Sequence, residues 1–179
     1  TIGDSTFFHA GLPPLLNMVH NKGVGTVIIL DNGTTAMTGH QDHPGMDRTL
    51  MGEPTRKVDL YELVRAMGVE KVVKADAFDM KGMEKALKEC TSYRGTSVII
   101  AEGPCVFVSK VSRPALEIDL DLCSACGICS RMGCPAIVKT EVKHEKTGRW
   151  KAGINPVLCN GCDVCRQVCP TGAIREPRV

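Results

Sequence analysis

The chain has 179 residues, of which 43% are hydrophobic and 23% charged, so it can bury a core, and its composition excludes a disordered chain. Its 22 basic and 20 acidic residues leave a net charge of +2, which does not indicate a nucleic-acid partner. No apolar run approaches the roughly 20 residues that a membrane-spanning helix needs, and the first residues carry no secretory signal. We therefore expect a cytoplasmic protein with no membrane partner.

The first motif is Gly3-Asp4-Ser5, which follows Thr1-Ile2, the end of an expected strand. It leads into a helix that we expect to open near Gly11, with Pro13 and Pro14 in its first turn, where proline is tolerated. Because so little of the strand is present, we expect the chain to be either a fragment cut inside that strand or a partial sequence.

A second motif follows the first clear strand, Thr26–Leu30, which is short, apolar and rich in β-branched residues. The residues directly after it read Asp31-Asn32-Gly33-Thr34-Thr35-Ala36-Met37-Thr38-Gly39-His40-Gln41. With Asp4 upstream, this arrangement resembles the thiamine diphosphate motif, in which Gly-Asp-Gly is followed some distance later by Asn.

Strand and helix patterns then alternate up to residue 118. The apolar residues of two predicted helices recur at helical spacing, and Asp59 and Asp79 are placed to act as their N-caps. The helix faces are Leu60, Leu63, Val64 and Met67, and Met83, Ala86, Leu87 and Cys90; the strands are Val72-Val73 and Thr96–Ala101. This alternation predicts an α/β domain with a parallel sheet.

In parallel sheets, ligands bind at the carboxyl ends of the strands, and both motifs directly follow a predicted strand. Mg²⁺ prefers oxygen ligands, which Asp4 offers as a carboxylate, Asn32 as an amide and Thr34 as a backbone carbonyl. We expect further contacts to the cofactor from Gly3, Ser5 and Thr38.

Four other groups have a simpler interpretation. For His9 and His40, a buried and hydrogen-bonded structural role is as well supported as contact with cofactor or substrate. Cys90 and Cys105 are expected to be packing residues.

Eight of the ten cysteines lie in residues 119–179, so the composition predicts a domain over residues 1–118 and a cysteine-rich domain over residues 119–179. Such a density indicates a disulfide framework or metal ligation. The segment repeats itself: Cys123-x-x-Cys126-x-x-Cys129 precedes Cys134-Pro135, and Cys159-x-x-Cys162-x-x-Cys165 precedes Cys169-Pro170.

This spacing is typical of a bacterial-type ferredoxin with two 4Fe–4S clusters, in which the cysteine before the proline ligates the cluster of the other repeat. The expected ligands are Cys123, Cys126, Cys129 and Cys169 for cluster 1, and Cys134, Cys159, Cys162 and Cys165 for cluster 2. A zinc or disulfide module would leave the third cysteine and the Cys-Pro of each repeat unexplained. The first repeat has one extra residue before Cys134, which predicts a bulge and leaves a three-iron or cluster-free first site open.

Between the repeats, Val138–Ile154 predicts a hairpin with its turn at Lys146-Thr147-Gly148. The segment is basic, with Lys139, Lys143, Lys146, Arg149 and Lys151. Two interpretations are open, a solvated hairpin or a docking surface for an acidic electron carrier. Trp150 is expected to cover a cluster.

Together, these motifs resemble the C-terminal portion of the large (alpha) subunit of indolepyruvate:ferredoxin oxidoreductases, over nearly the whole chain. Ser5 in place of the last glycine of Gly-Asp-Gly is also similar to this family. The resemblance implies a parallel-sheet thiamine diphosphate domain with Mg²⁺, followed by a ferredoxin domain with two 4Fe–4S clusters. It further implies oxidative decarboxylation of an aryl 2-oxoacid with coenzyme A, with electrons passed to an external ferredoxin.

The resemblance also implies parts outside this chain, namely an upstream pyrimidine-binding domain with the activating glutamate and a smaller beta subunit. We therefore expect residues 1–179 alone to hold clusters but to turn over little or no 2-oxoacid. Two alternatives stay open: another 2-oxoacid:ferredoxin oxidoreductase, and a non-catalytic electron-transfer protein with an α/β docking domain.

Overall fold

The computed structural model describes residues 1–109 and 113–177. The chain divides into two compact units, Thr1–Lys110 and Val111–Val179. Within the described ranges, no helix combines the length and the apolar character needed to cross a membrane.

The first unit contains a four-stranded parallel sheet with the strand order β1-β2-β4-β3. The strands are β1 (Ile2–Gly3), β2 (Gly25–Asp31), β3 (Lys71–Asp76) and β4 (Thr96–Glu102). The predicted parallel sheet is therefore confirmed. The strands β2, β3 and β4 are each longer than the apolar segment from which they were predicted.

The helix after β1 begins earlier than its sequence suggests. Helical backbone runs from α1 (Asp4–Thr6) through a π-helical turn, Phe7–Gly11, into α2 (Leu12–His20). Pro13 and Pro14 stand in the first turn of α2 as expected, but the expected helix start near Gly11 is wrong. Because the two prolines have no amide hydrogen, the carbonyls four residues before them receive no α-helical hydrogen bond, and a wider π turn lies at that point.

Two further helices connect the remaining strands. In α3 (Leu60–Ala66) the N-cap Asp59 accepts hydrogen bonds from the amides of Tyr61 and Glu62, which lowers the pKa of Asp59. In α4 (Met80–Thr91) Asp79 accepts one from the amide of Lys81. Both predicted caps are confirmed.

Helices cover both faces of the sheet because alternate strand residues point to opposite faces. Ile29, Val98 and Ile100 pack with residues of α2 and α3, whereas Ile28 and Ile99 pack with α4. On α4, the predicted packing role of Cys90 is confirmed, and burial raises the pKa of its thiol. Leu87, expected on the same face, instead lies at its exposed edge.

The second unit consists of two antiparallel strand pairs around a small core. Its elements are β5 (Glu117–Ile118), β6 (Ile137–Lys143), β7 (Trp150–Ile154), α5 (Val164–Gln167) and β8 (Ile174–Arg175). The predicted hairpin is confirmed as the β6–β7 pair. Because β5 pairs with β8, the boundary expected after residue 118 falls inside this unit.

Candidate functional site

The carboxyl edge of the sheet is acidic. Asp31 at the end of β2 is in register with Glu102 at the end of β4, which is in register with Asp76 at the end of β3. Asp4 directly follows β1, whose Gly3 pairs with Leu30. A row of carboxylates therefore follows the strand ends where ligands bind in such sheets.

Asp4 connects the two motifs that the sequence predicts to meet. Its side chain is buried, with 2% of the residue exposed. Oδ1 accepts a hydrogen bond from the Ser5 amide at 2.7 Å, and Oδ2 accepts one from the Gly33 amide at 2.8 Å. The Thr35 hydroxyl donates to the Ser5 hydroxyl at 2.7 Å, so a second bond joins the two segments.

The loop after β2 is closed by its own hydrogen bonds. Asn32 Oδ1 accepts the Thr34 amide at 3.1 Å, and the Thr34 carbonyl accepts the Ala36 amide at 3.0 Å. Each of these oxygens keeps a second lone pair for a cation. Thr38 is exposed, and its hydroxyl donates to Gln41 Oε1 at 2.6 Å, so its local partner lies within the loop.

His43 is a member of this site that the sequence reasoning missed. Its side chain is fully buried, its ring stacks on Phe8, and Nδ1 accepts the Gly45 amide at 3.1 Å. The neutral ring therefore carries its proton on Nε2, 3.3 Å from Asp4 Oδ2. The contact lacks hydrogen-bond geometry, so Nε2 has no hydrogen-bond partner among the described residues. The available signal was the sequence His43-Pro44-Gly45 just after the second motif.

The electrostatics of this edge suit a hard cation. Burial and the nearby charge of Asp4 raise the pKa of Asp31, and Lys57 only partly opposes them. No lysine or arginine in the described ranges forms an ion pair with Asp4 or Asp31. Carboxylate, amide and carbonyl oxygens are ligands that Mg²⁺ accepts, usually together with phosphate and water.

The space beside this edge also suits a diphosphate. A Cβ added at Gly3 would meet no atom within 4 Å, so the backbone there faces open space. Gly3 is the N-cap of the helix that starts at Asp4 and provides no side-chain cap, so backbone amides at this end can bind an anion. Across residues 1–109 and 113–177, no three His, Cys, Asp or Glu side chains form a site for a single metal ion. The Mg²⁺ ligands Asp4, Asn32 and Thr34 stay a prediction.

Three further residues lie outside the core. His9 and His40 are both exposed, so of the two interpretations left open for them the buried structural role does not hold. His9 Nδ1 donates to the Ser5 carbonyl at 2.7 Å, and the His40 ring lies edge-on to Phe107. Cys105 is half-buried in the loop after β4 rather than packed in the core, and its amide donates to the Asn32 carbonyl at 3.0 Å.

The second unit contains two cavities, each lined by four cysteines. The first cysteine cavity, about 360 Å³, is lined by Cys123, Cys126, Cys129 and Cys169. The second cysteine cavity, about 150 Å³, is lined by Cys134, Cys159, Cys162 and Cys165. Each cavity thus combines three cysteines of one repeat with the Cys-Pro cysteine of the other, the combination that the sequence predicts. The ligation of iron by these side chains stays a prediction.

The two cysteine loops share an unusual backbone conformation. Ala125 and Gly127, on either side of Cys126, have φ of 53° and 74°. Gly161 and Asp163, on either side of Cys162, have φ of 66° and 69°. Left-handed residues turn successive amides toward one point and create an anion-binding concavity of the kind found at iron–sulfur sites. The two cysteine motifs therefore repeat each other in backbone conformation as well as in amino-acid sequence.

The thiols in these cavities crowd one another. Burial, and then the neighbouring thiols of Cys162, Cys159 and Cys134, raise the pKa of Cys165 to about 11. At Cys169 burial raises the pKa, but hydrogen bonds from Thr171 and nearby amides outweigh it and leave the pKa lowered. A metal centre deprotonates such thiols outright, so the donor set suits iron–sulfur clusters.

The extra residue of the first repeat produces a local difference between the loops. Residues Cys129–Met132 form a 3₁₀ turn that ends at Gly133, with φ of 74°. The corresponding part of the second repeat is the α-helical turn α5. The extra residue is thus accommodated by a 3₁₀ turn and a left-handed glycine, and Cys134 lines the second cysteine cavity.

Comparison with known proteins assigns both units to classes. Residues 1–101 match the family described as thiamine pyrophosphate enzyme, C-terminal TPP binding domain, and residues 111–173 match the 4Fe-4S dicluster domain. The chain therefore belongs to the thiamine pyrophosphate enzyme family, with a dicluster iron–sulfur domain after the thiamine domain.

The resemblance to the C-terminal portion of the large subunit of indolepyruvate:ferredoxin oxidoreductases is also confirmed. The chain is similar to the indolepyruvate oxidoreductase subunit IorA of Methanothermobacter thermautotrophicus, with 41% identity over 97% of this chain and 27% of the relative. The subunit IorA of Pyrococcus horikoshii is 37% identical over 99% of this chain and 28% of the relative. The chain thus spans little more than a quarter of these curated relatives.

A solved structure of 2-oxoglutarate:ferredoxin oxidoreductase from Magnetococcus marinus, with 2-oxoglutarate, coenzyme A and succinyl-CoA bound, has a similar fold. The TM-score is 0.56, and the match covers 61% of this chain and 40% of that one. The sequence identity is 21%, so this likeness concerns the fold.

Proposed function

We propose that this chain is the thiamine diphosphate and iron–sulfur portion of a 2-oxoacid:ferredoxin oxidoreductase. Its substrate would be an aryl pyruvate such as indolepyruvate, converted with coenzyme A to acyl-CoA and CO₂. The observation that carries the proposal is that one chain contains two kinds of site. The Asp4 carboxylate accepts a hydrogen bond from the Gly33 amide at the carboxyl edge of a parallel sheet, and the second unit has two cavities that are each lined by four cysteines. The similarity to IorA subunits supports the aryl substrate.

At the sheet edge, we assign Asp4, Asn32 and Thr34 as oxygen ligands of Mg²⁺. The cofactor contacts proposed beside them come from Gly3, Ser5 and Thr38. Bound thiamine diphosphate supplies the carbanion stabilisation that decarboxylation of a 2-oxoacid requires. The residues of this chain orient the proposed metal ligand. The Ser5 and Gly33 amides fix both oxygens of Asp4, and the buried surroundings exclude water from that carboxylate.

In the second unit, we assign Cys123, Cys126, Cys129 and Cys169 to cluster 1, and Cys134, Cys159, Cys162 and Cys165 to cluster 2. Iron–sulfur clusters accept single electrons, which suits the stepwise oxidation after decarboxylation. The proposal includes partners outside these residues: an upstream pyrimidine-binding domain, a smaller beta subunit and an external ferredoxin. The match to only 27% of the relatives' length supports further domains in the working enzyme.

The Mg²⁺ assignment is tested by Asp4→Asn in the full-length enzyme. We expect the affinity for thiamine diphosphate at saturating Mg²⁺ to fall by at least about 100-fold, because a metal ligand contributes more than the 10–100-fold of its hydrogen-bond partners. Calorimetric titration measures this affinity. The matched control is Asp76→Asn, the same change at an exposed position of the same sheet edge.

Asp76→Asn should leave the affinity unchanged, and both variants should keep the hydrogen-exchange protection of β2 and β4, which shows that the first unit folds. An unchanged affinity in Asp4→Asn would contradict the assignment. The substrate class is tested separately, by comparing kcat/KM for indolepyruvate, pyruvate and 2-oxoglutarate. A preference for an aliphatic 2-oxoacid would overturn the aryl assignment alone.

A further inference from the structure

The two cysteine cavities differ in the charge of their walls. Lys139, Arg149 and Lys151 line the first cysteine cavity, and no acidic residue is among the described residues of its wall. Asp163 is the one charged residue that lines the second cysteine cavity in the described part of the chain. Its carboxylate pairs with Arg166 at 2.7 Å, and Leu158 and Met132 belong to a largely apolar wall. One cavity is therefore cationic at its rim and the other is not.

The basic rim belongs to the β6–β7 hairpin, residues 137–154, which carries five basic and two acidic side chains and a net charge of +3. Among the residues that the structure describes, none of the five basic side chains forms an ion pair. Lys151 Nζ donates to the Leu120 carbonyl at 2.7 Å, which leaves its charge uncompensated. The hairpin thus presents positive charge that the described part of the protein does not neutralise.

Trp150 lies among these charges. It lines the first cysteine cavity, is 47% exposed, and has Lys143 Nζ 4.6 Å from its ring centroid. The expected position of Trp150 beside a cluster agrees with this location. An exposed tryptophan beside an arginine such as Arg149 is enriched at protein–protein contacts, and the lysines around it supply charge for steering a partner.

We propose that electrons leave this protein through the cluster of the first cysteine cavity, and that the hairpin 137–154 is the docking surface for a small acidic one-electron carrier protein. The inference rests on the proposed function. The transfer moves one electron, so that the enzyme loses one and the carrier gains one, and no bond is made or broken. The side chains of the hairpin attract and orient the carrier.

The same charges order the two clusters in potential. Reduction adds negative charge, which Lys139, Arg149 and Lys151 stabilise at the first cavity; at the second cavity Asp163 is paired with Arg166, and no basic residue lines the wall in the described part of the chain. The cluster of the first cavity therefore has the higher potential. Electrons pass downhill from the second cluster to the first and on to the carrier.

The docking surface is tested with the double variant Lys139→Glu/Arg149→Glu in the holoenzyme. The probe is an acidic 4Fe–4S ferredoxin, and its Kd is measured by calorimetry. The matched control is Lys81→Glu/Arg94→Glu, the same charge change at two exposed positions in the first unit. At low salt we expect binding to weaken at least about tenfold in the hairpin variant alone. The difference should vanish at roughly 0.5 M salt, because exposed charges are screened.

Two further readouts separate docking from folding and from the proposed function. Redox titration of Lys139→Glu/Arg149→Glu, followed by electron paramagnetic resonance, should show a lowered potential for the cluster that has the higher potential in the wild type and no change for the other. Reduction of benzyl viologen, a small cationic acceptor, by substrate should stay at wild-type rate in Lys143→Glu/Lys146→Glu, which changes two exposed hairpin residues that are not among the described residues of the first cavity wall, while ferredoxin affinity falls in this variant too. Unchanged ferredoxin affinity with intact viologen reduction would overturn the docking surface and leave the proposed function standing. A shift of the lower-potential cluster instead would overturn the assigned order of the clusters.

Discussion

At the scale of single residues, His43 explains how a buried carboxylate is kept in one orientation. Two backbone amides bind the oxygens of Asp4, and the imidazole of His43 closes the side near Oδ2 at 3.3 Å. Phe8 and the Gly45 amide hold the ring. His43 thus packs against the Oδ2 side of Asp4 and limits the orientations open to the carboxylate, without a hydrogen bond to it.

We therefore predict that His43→Asn weakens Mg²⁺ binding in the presence of thiamine diphosphate by up to about tenfold, at the low end of the 10–100-fold cost of losing a hydrogen-bonded partner of a metal ligand, because His43 only packs against Asp4. The measurement is the Mg²⁺ dependence of cofactor binding in the full-length enzyme. His20→Asn, an exposed histidine at the end of α2, is the matched control. A variant that melts earlier but binds Mg²⁺ with wild-type affinity would show that His43 is only structural.

At the scale of elements, the two cysteine loops have the same left-handed backbone conformation before their second cysteine, but with different residues, Ala125 and Gly161. Ala125 and Gly161 occupy equivalent positions, and both have a left-handed conformation that costs a residue with a Cβ about 1–2 kcal/mol. At Gly161 a Cβ would also lie 2.6 Å from the Pro114 carbonyl oxygen and 2.7 Å from Arg113 Cβ. Only the second loop therefore requires glycine for space as well as for conformation.

This difference predicts opposite results for two substitutions. Gly161→Ala should lower the melting temperature and the iron content of the protein, because the segment 113–114 would have to move. Ala125→Gly should change stability by no more than about 1 kcal/mol, since relief of strain and the greater freedom of the unfolded chain offset each other. Thermal unfolding under anaerobic conditions with iron analysis tests both. Equal losses in the two variants would contradict the steric explanation.

At the scale of the whole molecule, the two units depend on different sources of stability. The first has apolar clusters on both faces of a parallel sheet. The second has a small buried cluster, Leu116, Cys165 and Ile174, packed against other cysteine side chains. A unit of this size buries little apolar surface, and metal binding then contributes to its folding free energy.

Removal of iron should accordingly unfold the second unit and spare the first. After oxidation and chelation of the full-length protein, we expect hydrogen exchange to lose protection in β6 and β7 and to keep it in β2 and β4. Treatment with the chelator but no oxidant is the control, and it should leave the protection of all four strands unchanged. Continued protection of β6 and β7 after complete iron loss would show that this unit folds without its clusters.

Much of this protein is determined by local sequence. The strands of the parallel sheet, the N-caps Asp59 and Asp79, and the β6–β7 hairpin were predicted because each depends on residues close together in the chain, whereas the short pair β5 and β8 was not. The cysteine spacing and the first two motifs carried the family resemblance for the same reason. The early start of the first helix escaped prediction because Pro13 and Pro14 suggested a beginning where the structure has a π turn.

Only the tertiary structure decided which distant groups meet. His43 lies beside Asp4 because a long loop folds back over the edge of the sheet, and no local pattern specifies that contact. The exposure of His40 and the place of Cys105 beside Asn32 likewise depend on loop packing. The sequence alone contains the ten cysteines and the basic hairpin, but it left open whether that charge borders a cavity of four cysteines. Folding decided it, because a side chain's electrostatic effect depends on distance in space and not along the chain.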